Sequence, residues 1–289
     1  MTVTLAELVW IAVLGCVSGS LGAVTGIGGG VIIVPVLVIV FGFDFATAVA
    51  SSLAAVVATS TAAGSAYVAE GLTNMRLAMT LEVATTIGGI TGGFLGVLLP
   101  ERALSAIFGV AMLGTAFLLS RGRSGHGGAT TNEADPSRAE IPADSGPLDA
   151  RYRDPDSGYK VVYRVRRVPF GMGVSYGAGT VSGLLGVGGG FIKVPAMNLV
   201  MGVPIKVAAA TSNFMIGVTA VSSLVVYLGR GEVHPAIVTP LVLGTVVGAI
   251  AGTHLQARIP SRQVRVALTV ILVFVAIQMA VRAAGVGVG

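Results

Sequence analysis

Charge is nearly absent from this chain except in one stretch, and that distribution limits the fold more than any motif does. Of 18 Lys and Arg and 13 Asp and Glu, nine basic and seven acidic residues crowd into positions 121–168. The other 241 residues carry nine basic and six acidic side chains between them. Charged residues make up 11% of the 289-residue chain, against about 25% in soluble globular proteins. So little charge cannot cover a water-soluble body of this size, which excludes a soluble enzyme. Two blocks of membrane-spanning helix around one polar loop remain. The apolar runs are continuous rather than alternating, which excludes an outer-membrane barrel.

Ten apolar segments can be drawn. Five precede the loop, at roughly 5–25, 30–42, 46–68, 77–99 and 103–120. Five follow it, at roughly 169–185, 190–202, 206–228, 235–256 and 264–282. Most are long enough to cross a hydrocarbon core of about 30 Å. The second segment of each set is not, since about 13 residues of helix reach only about 20 Å.

An ungapped internal repeat organises these segments. Shifting the chain by 160 residues aligns 19–102 with 179–262 and gives 24 identities in 84 positions. A Gly-x-Gly-Gly-Gly string, Val34-Pro35 and Val194-Pro195, Tyr67 and Tyr227, and Pro100-x-Arg102 and Pro260-x-Arg262 fall in one register. Shared apolar composition does not produce that. Each copy has five segments, or three crossings if the first two form a hairpin that dips in and returns. Both numbers are odd, so the second copy is expected upside down. Arg121, Arg123, Arg164, Arg166 and Arg167 flank the loop and assign it to the cytoplasm. Lys206 and the cluster Arg258, Arg262 and Arg265 then fall inside, with Asp44 and both termini outside; Arg282 is the one discordant charge. The expected division is a first transmembrane repeat over 1–120, a cytoplasmic insert over 121–168 and a second repeat over 169–289. Within the insert, the composition of 122–147 predicts disorder, while the period of two in Tyr159, Val161, Tyr163 and Val165 predicts a short β-hairpin.

The strongest chemical signal is the pair of strings Gly26-Ile27-Gly28-Gly29-Gly30 and Gly186-Val187-Gly188-Gly189-Gly190. Consecutive glycines open a helix at about 1 kcal/mol each relative to Ala. In lipid, open backbone survives only when buried in protein or lining a wet cavity. Each string opens a short helix whose N–H groups and positive dipole end suit an anion. Paired broken helices in an inverted repeat also point to a transporter's binding site. Neither string completes a dinucleotide fingerprint or a phosphate loop. The pairs Gly88/Gly92 and Gly248/Gly252 are read instead as helix contacts.

These strings, each followed by Val-Pro and then by Ala-x-Ala-Ser-Ser at 48–52 or Ala-x-Ala-Thr-Ser at 208–212, resemble the sulfite exporter TauE/SafE family. The resemblance covers nearly the whole chain outside the insert. It implies a secondary carrier of small sulfur-containing or organic anions, sulfite and sulfonates among them.

Candidate substrate-binding residues follow from position. They are Gly28, Gly29, Gly30, Gly188, Gly189 and Gly190 in the strings, and Ser51, Ser52, Thr211, Ser212 and Asn213 about two turns into the next helices. Each hydroxyl can alternatively bond back to its own helix. Lys193 has Ile33 as its counterpart and lies in the first turn after the second string. A cation there needs an anionic partner or water, unless it snorkels to the interface. Glu82, whose counterpart is Val242, is a candidate for coupling to a proton or sodium ion, or else pairs with Arg76. His254, beside Arg258, reads as an interface residue.

The reading is an all-α polytopic protein of the cytoplasmic membrane, not an enzyme, that moves a small anion by alternating access. Its partners are that anion, the bilayer and a coupling ion, with no cofactor and no nucleic acid. A channel is the alternative. A membrane-embedded enzyme or thiol relay fits less well, because Cys16 stands alone and the three histidines are scattered. On this reading, Ala at Gly29 or Gly189 should block the ligand while leaving stability normal or raised.

Overall fold

The computed structural model describes residues 4–25, 28–121, 146–153, 160–256 and 261–283. Its helices follow the apolar segments closely. They are α1 (Leu5–Thr25), α2 (Gly30–Ile39), α3 (Phe45–Ala69), α4 (Met75–Leu98) and α5 (Glu101–Arg121) in the first half. The second half holds α6 (Val168–Leu185), α7 (Gly190–Pro195), α8 (Ile205–Gly229), α9 (Pro235–Gln256) and α10 (Ser261–Ala283). Among the described residues, α1, α3, α4, α8 and α9 are long and apolar enough to cross a membrane. Their outer faces are apolar, with Trp10, Val83, Ile87 and Val247 exposed, as a lipid-facing surface requires. The reading of 122–145 falls outside the described residues, as do those of Arg258 and of the His254, Arg262 and Arg265 side chains.

Polar punctuation sets several ends. The Asp44 carboxylate accepts from Thr47 N at 2.8 Å at the start of α3, and Asn74 Oδ1 accepts from Leu77 N at 3.1 Å at the start of α4. After Pro195, the six-residue α7 continues as a π-helical turn over Ala196–Val200. A proline cannot donate to the helix ladder, and a local change of pitch accommodates it.

The packing comes in matched sets 160 residues apart. Helix α1 lies on α9 and α6 lies on α4, while α3 packs on α8 and α5 on α10. Glycines allow the first two contacts. A Cβ at Gly88 or Gly92 would run into the carbonyls of Tyr176 and Thr180. One at Gly248 would run into that of Cys16, and one at Gly252 would lie 2.6 Å from that of Ser20. These two faces correspond residue for residue, which bears out the packing reading of both pairs. The repeated tyrosines match as well: Tyr67 Oη donates to Ala23 O at 3.3 Å and Tyr227 Oη to Gly183 O at 3.1 Å.

The expected hairpin forms from β1 (Ala150–Arg153) and β2 (Lys160–Tyr163), paired antiparallel. It sits on the bundle end where α4 and α8 begin. Tyr163 packs in a cluster with Leu77, Leu81, Met197, Met201 and Val207. Its hydroxyl accepts from Asn74 Nδ2 at 2.9 Å, and Arg166 N donates to Met201 O at 3.0 Å. Burial pushes the Tyr163 phenol up to about 12. A folded value above the ordinary 10 means this contribution is complete below pH 10 and lost as pH rises through about 12. Tyr163→Phe should weaken docking by about 1 kcal/mol. Lower hydrogen-exchange protection, taken relative to the intrinsic rate at each pH, over 148–165 in the variant, and in the wild type above pH 11, would show it. Unchanged protection in both would mean the hairpin is held without this contact.

Candidate functional site

The glycine strings fold as their composition demands. Gly28 and Gly29 have φ of 95° and 63°, and Gly188 and Gly189 have 86° and 70°. These left-handed positions interrupt the chain between α1 and α2 and between α6 and α7, where only glycine sits without strain. The two breaks meet each other. A Cβ on Gly30 would strike Gly186 O of the other half and lie 2.7 Å from Ser52 Oγ. Ser52 Oγ itself donates to Gly186 O at 2.7 Å across 134 residues of sequence. Gly28 lies against Val187 O, with Val56 of α3 and Ile216 of α8 beside it.

The breaks are not simply open N-termini. Gly30 N donates back to Gly28 O at 2.6 Å, and Ile192 N and Lys193 N both reach Gly189 O at 3.2 Å. These three amides are therefore committed in this conformation. The uncommitted polar atoms are on the flanking helices. Ser51 Oγ, Ser212 Oγ and Asn213 Nδ2 and Oδ1 are buried and have no hydrogen-bond partner; Ser182 Oγ of α6 is in the same condition. All four residues are at most 1% exposed. Leaving such groups unpaired costs about 1–3 kcal/mol each, a burden that a bound polar ligand removes. Thr211 departs from the set, because its hydroxyl accepts from Asn74 N at 3.1 Å and so ties α8 to the start of α4.

Lys193 and Glu82, on α7 and α4, come together through a residue the sequence did not single out. Lys193 is 1% exposed and Glu82 5%, and they are the buried charged side chains among the described residues. Lys193 Nζ donates to Thr219 Oγ1 at 3.0 Å, and the single Thr219 hydroxyl proton has two acceptors in reach, Glu82 Oε1 at 2.8 Å and Met215 O of its own helix at 2.9 Å. The lysine therefore does not snorkel. Glu82 does not pair with Arg76, whose guanidinium donates to Pro147 O at 3.3 Å. Thr219 has Thr59 as its counterpart, so the repeat conserves the hydroxyl but supplies the two charges once. Its polar spacing in α8, seven residues after Ser212, was the available signal.

Among the described residues, ten helices, five of them long and apolar enough to cross a bilayer and two of them short and opened by glycines, describe a multi-pass membrane protein. The sequence profile described as "Sulfite exporter TauE/SafE" matches residues 11–279, and the chain belongs to that family. It is 24% identical over 286 residues to the "Probable membrane transporter protein YunE" of Bacillus subtilis (strain 168), covering 94% of this chain and 97% of that one. It is 26% identical over 245 residues to a "Probable membrane transporter protein" of Xylella fastidiosa (strain 9a5c), covering 84% and 82%. No solved structure matches the chain. The family and these relatives make it a membrane transporter.

Geometry also changes the glycine expectation. A Cβ on Gly29 would lie 2.8 Å from Ser18 O, and one on Gly189 would lie 2.7 Å from Ala178 O. The obstruction is each half's own first helix, and the backbone is left-handed at both positions. Gly29→Ala and Gly189→Ala should each lose more than about 1 kcal/mol, the reverse of normal or raised stability. Thermal unfolding of the two purified variants checks this; melting temperatures at or above wild type would mean the loops are not held as described.

Proposed function

We propose that this transporter is a secondary carrier of a small sulfur-containing or organic anion, of the sulfite and sulfonate class, in the cytoplasmic membrane. The observation that carries the proposal is the set of buried, unpartnered polar atoms, Ser51 Oγ, Ser212 Oγ and the Asn213 amide, on helices that flank the meeting of two glycine-broken helix ends. In this reading the substrate lies between two oppositely inserted copies of one unit, with the central insert facing the cytoplasm. Hydroxyls of Ser51, Thr211 and Ser212, the Asn213 amide and the Lys193 ammonium supply donors, and the Ser52 hydroxyl does so only when it leaves Gly186 O. The backbone around Gly28 to Gly30 and Gly188 to Gly190 supplies close approach. Burial of these groups corresponds to a closed conformation, and rocking of one repeat against the other exposes them to each side in turn. Glu82 is the residue through which a coupling ion acts. The family name supports the sulfur-anion class, and the relatives' names support transport.

Asn213 provides the sharpest test, because its counterpart in the repeat is Leu53. Removing an unpaired buried amide should leave stability equal or higher. Asn213→Leu is therefore expected to keep or raise the melting temperature of the free protein while abolishing stabilisation by its anion. Lys193→Met should weaken that stabilisation at least tenfold in concentration. The measurement is a melting-temperature screen of wild type and variants with sulfite, sulfate, thiosulfate, methanesulfonate and acetate, since a ligand of the folded form stabilises it by mass action. Equal stabilisation of wild type and Asn213→Leu would remove the site from this place. Trans-stimulated uptake into vesicles separates a carrier from a channel.

A further inference from the structure

The buried charges permit a more specific statement about coupling, which rests on the carrier reading above. Lys193, Thr219 and Glu82 stand in one line of polar contacts, from ammonium to hydroxyl at 3.0 Å and from hydroxyl to carboxylate at 2.8 Å, with Met215 O as the hydroxyl's other acceptor at 2.9 Å. Thr86 Oγ1 adds a longer contact to the same oxygen, Glu82 Oε1, at 3.5 Å. The other oxygen, Oε2, is buried and accepts no hydrogen bond. The carboxylate therefore depends on one cation, reached through one hydroxyl.

The surroundings offer no substitute. The elements packed on α4 carry few titratable groups. Tyr176 of α6 is exposed. Helix α8 carries Lys206 near its start and Tyr227, whose hydroxyl donates to Gly183 O. The hairpin brings Tyr163, bonded to Asn74, and α4 itself brings Arg76, bonded to Pro147 O. Lys193 is the charged group that acts on Glu82. At the positions equivalent by the repeat stand Ile33, Thr59 and Val242, so the device exists once per chain.

We infer that Glu82 and the transported anion compete for the single buried ammonium of Lys193, so that each anion entering the site brings one proton onto Glu82. With the site empty, ammonium and carboxylate neutralise each other through Thr219. An anion that takes the ammonium leaves a carboxylate with one unpartnered oxygen beside a second negative charge in a water-poor interior. Uptake of a proton from hydronium or a buffer acid in solvent onto Glu82 removes that charge; one O–H bond forms at the carboxylate as the donor's bond to that proton breaks. Release of the anion restores the Lys193–Thr219–Glu82 chain and frees the proton on the same side. Anion and proton thus travel together, one for one. A monovalent anion moves without net charge, and a divalent one carries a single negative charge.

Linkage makes this measurable in both directions. The purified full-length protein is titrated with sulfate, thiosulfate and methanesulfonate, whose own charge is constant between pH 6 and 9. Calorimetry in two buffers of different ionisation enthalpy counts the protons taken up. The expected result, for whichever of these binds, is uptake approaching one proton per anion at the alkaline end. Affinity should there weaken up to tenfold per pH unit. Glu82→Gln should bind with no proton uptake and no pH dependence, and more tightly than wild type at pH 9. Sulfite, which itself gains a proton near neutrality, is compared only between wild type and Glu82→Gln. Should Glu82→Gln fail to fold, the proton count of the wild type decides alone. Binding to the wild type without proton uptake, or binding that follows sodium instead of pH, overturns the inference and leaves the anion site standing. Failure of all four anions to stabilise either protein overturns both.

Discussion

Backbone that leaves a helix inside a membrane must be enclosed by other protein, and that requirement governs this molecule. The chain interrupts a helix twice, at left-handed glycines in equivalent positions, and each interruption closes on the other half. Gly186 O is taken by Ser52 Oγ, and Gly30 is close enough that no side chain could fit between the two loops. Such an arrangement demands close approach elsewhere. Helices α1 and α9, and α6 and α4, meet through glycine faces that let carbonyls sit where a Cβ would be. The same small-residue economy that builds the outer pairs therefore holds the two breaks together at the centre.

Enclosure leaves a remainder of polar groups that the protein does not satisfy by itself. Ser51, Ser212 and Asn213 are buried with unpartnered atoms on α3 and α8, the two helices that pack on each other in the middle of the bundle. The repeat explains the hydroxyls but not the asymmetry. Asn213 stands opposite Leu53, Lys193 opposite Ile33 and Glu82 opposite Val242. Duplication thus accounts for the scaffold, and departures from it account for the charged chemistry. On the carrier reading, a symmetric frame supplies two-sided access, while residues without an equivalent in the other copy, Glu82 in the first half and Lys193 and Asn213 in the second, respond to charge.

Much of the architecture was legible in the residues. Apolar length and charge located the ten helices of the described residues to within a few positions, because lipid exposure leaves little freedom to segments of that composition. The glycine strings marked both breaks, and the period-two pattern ending at Val165 marked β2. The partners were harder to foresee. Nothing local in Thr219 announces that it will bridge α7 to α4, since that contact joins residues 137 apart. Asn74 likewise caps its own helix while reaching Thr211, Leu148 and Tyr163. Lys193 could not be distinguished from a snorkelling lysine until its helix was seen to be enclosed. Arg282, discordant by charge alone, is accounted for by geometry. It donates to Val38 O at 2.9 Å and pairs with Glu101 at 3.6 Å, so its charge is engaged at the end where α2 finishes and α5 begins.

Two equivalent broken ends face one another from opposite sides only if the two copies enter the membrane in opposite senses. Membrane-impermeant labelling of single cysteines in intact cells addresses this directly, in a background where Cys16 is replaced. Labelling from outside at residue 44, at the turn after α2, with labelling at residues 125–145 only after the membrane is opened, is the predicted result. Residue 44 and the central insert reacting from the same side would contradict it.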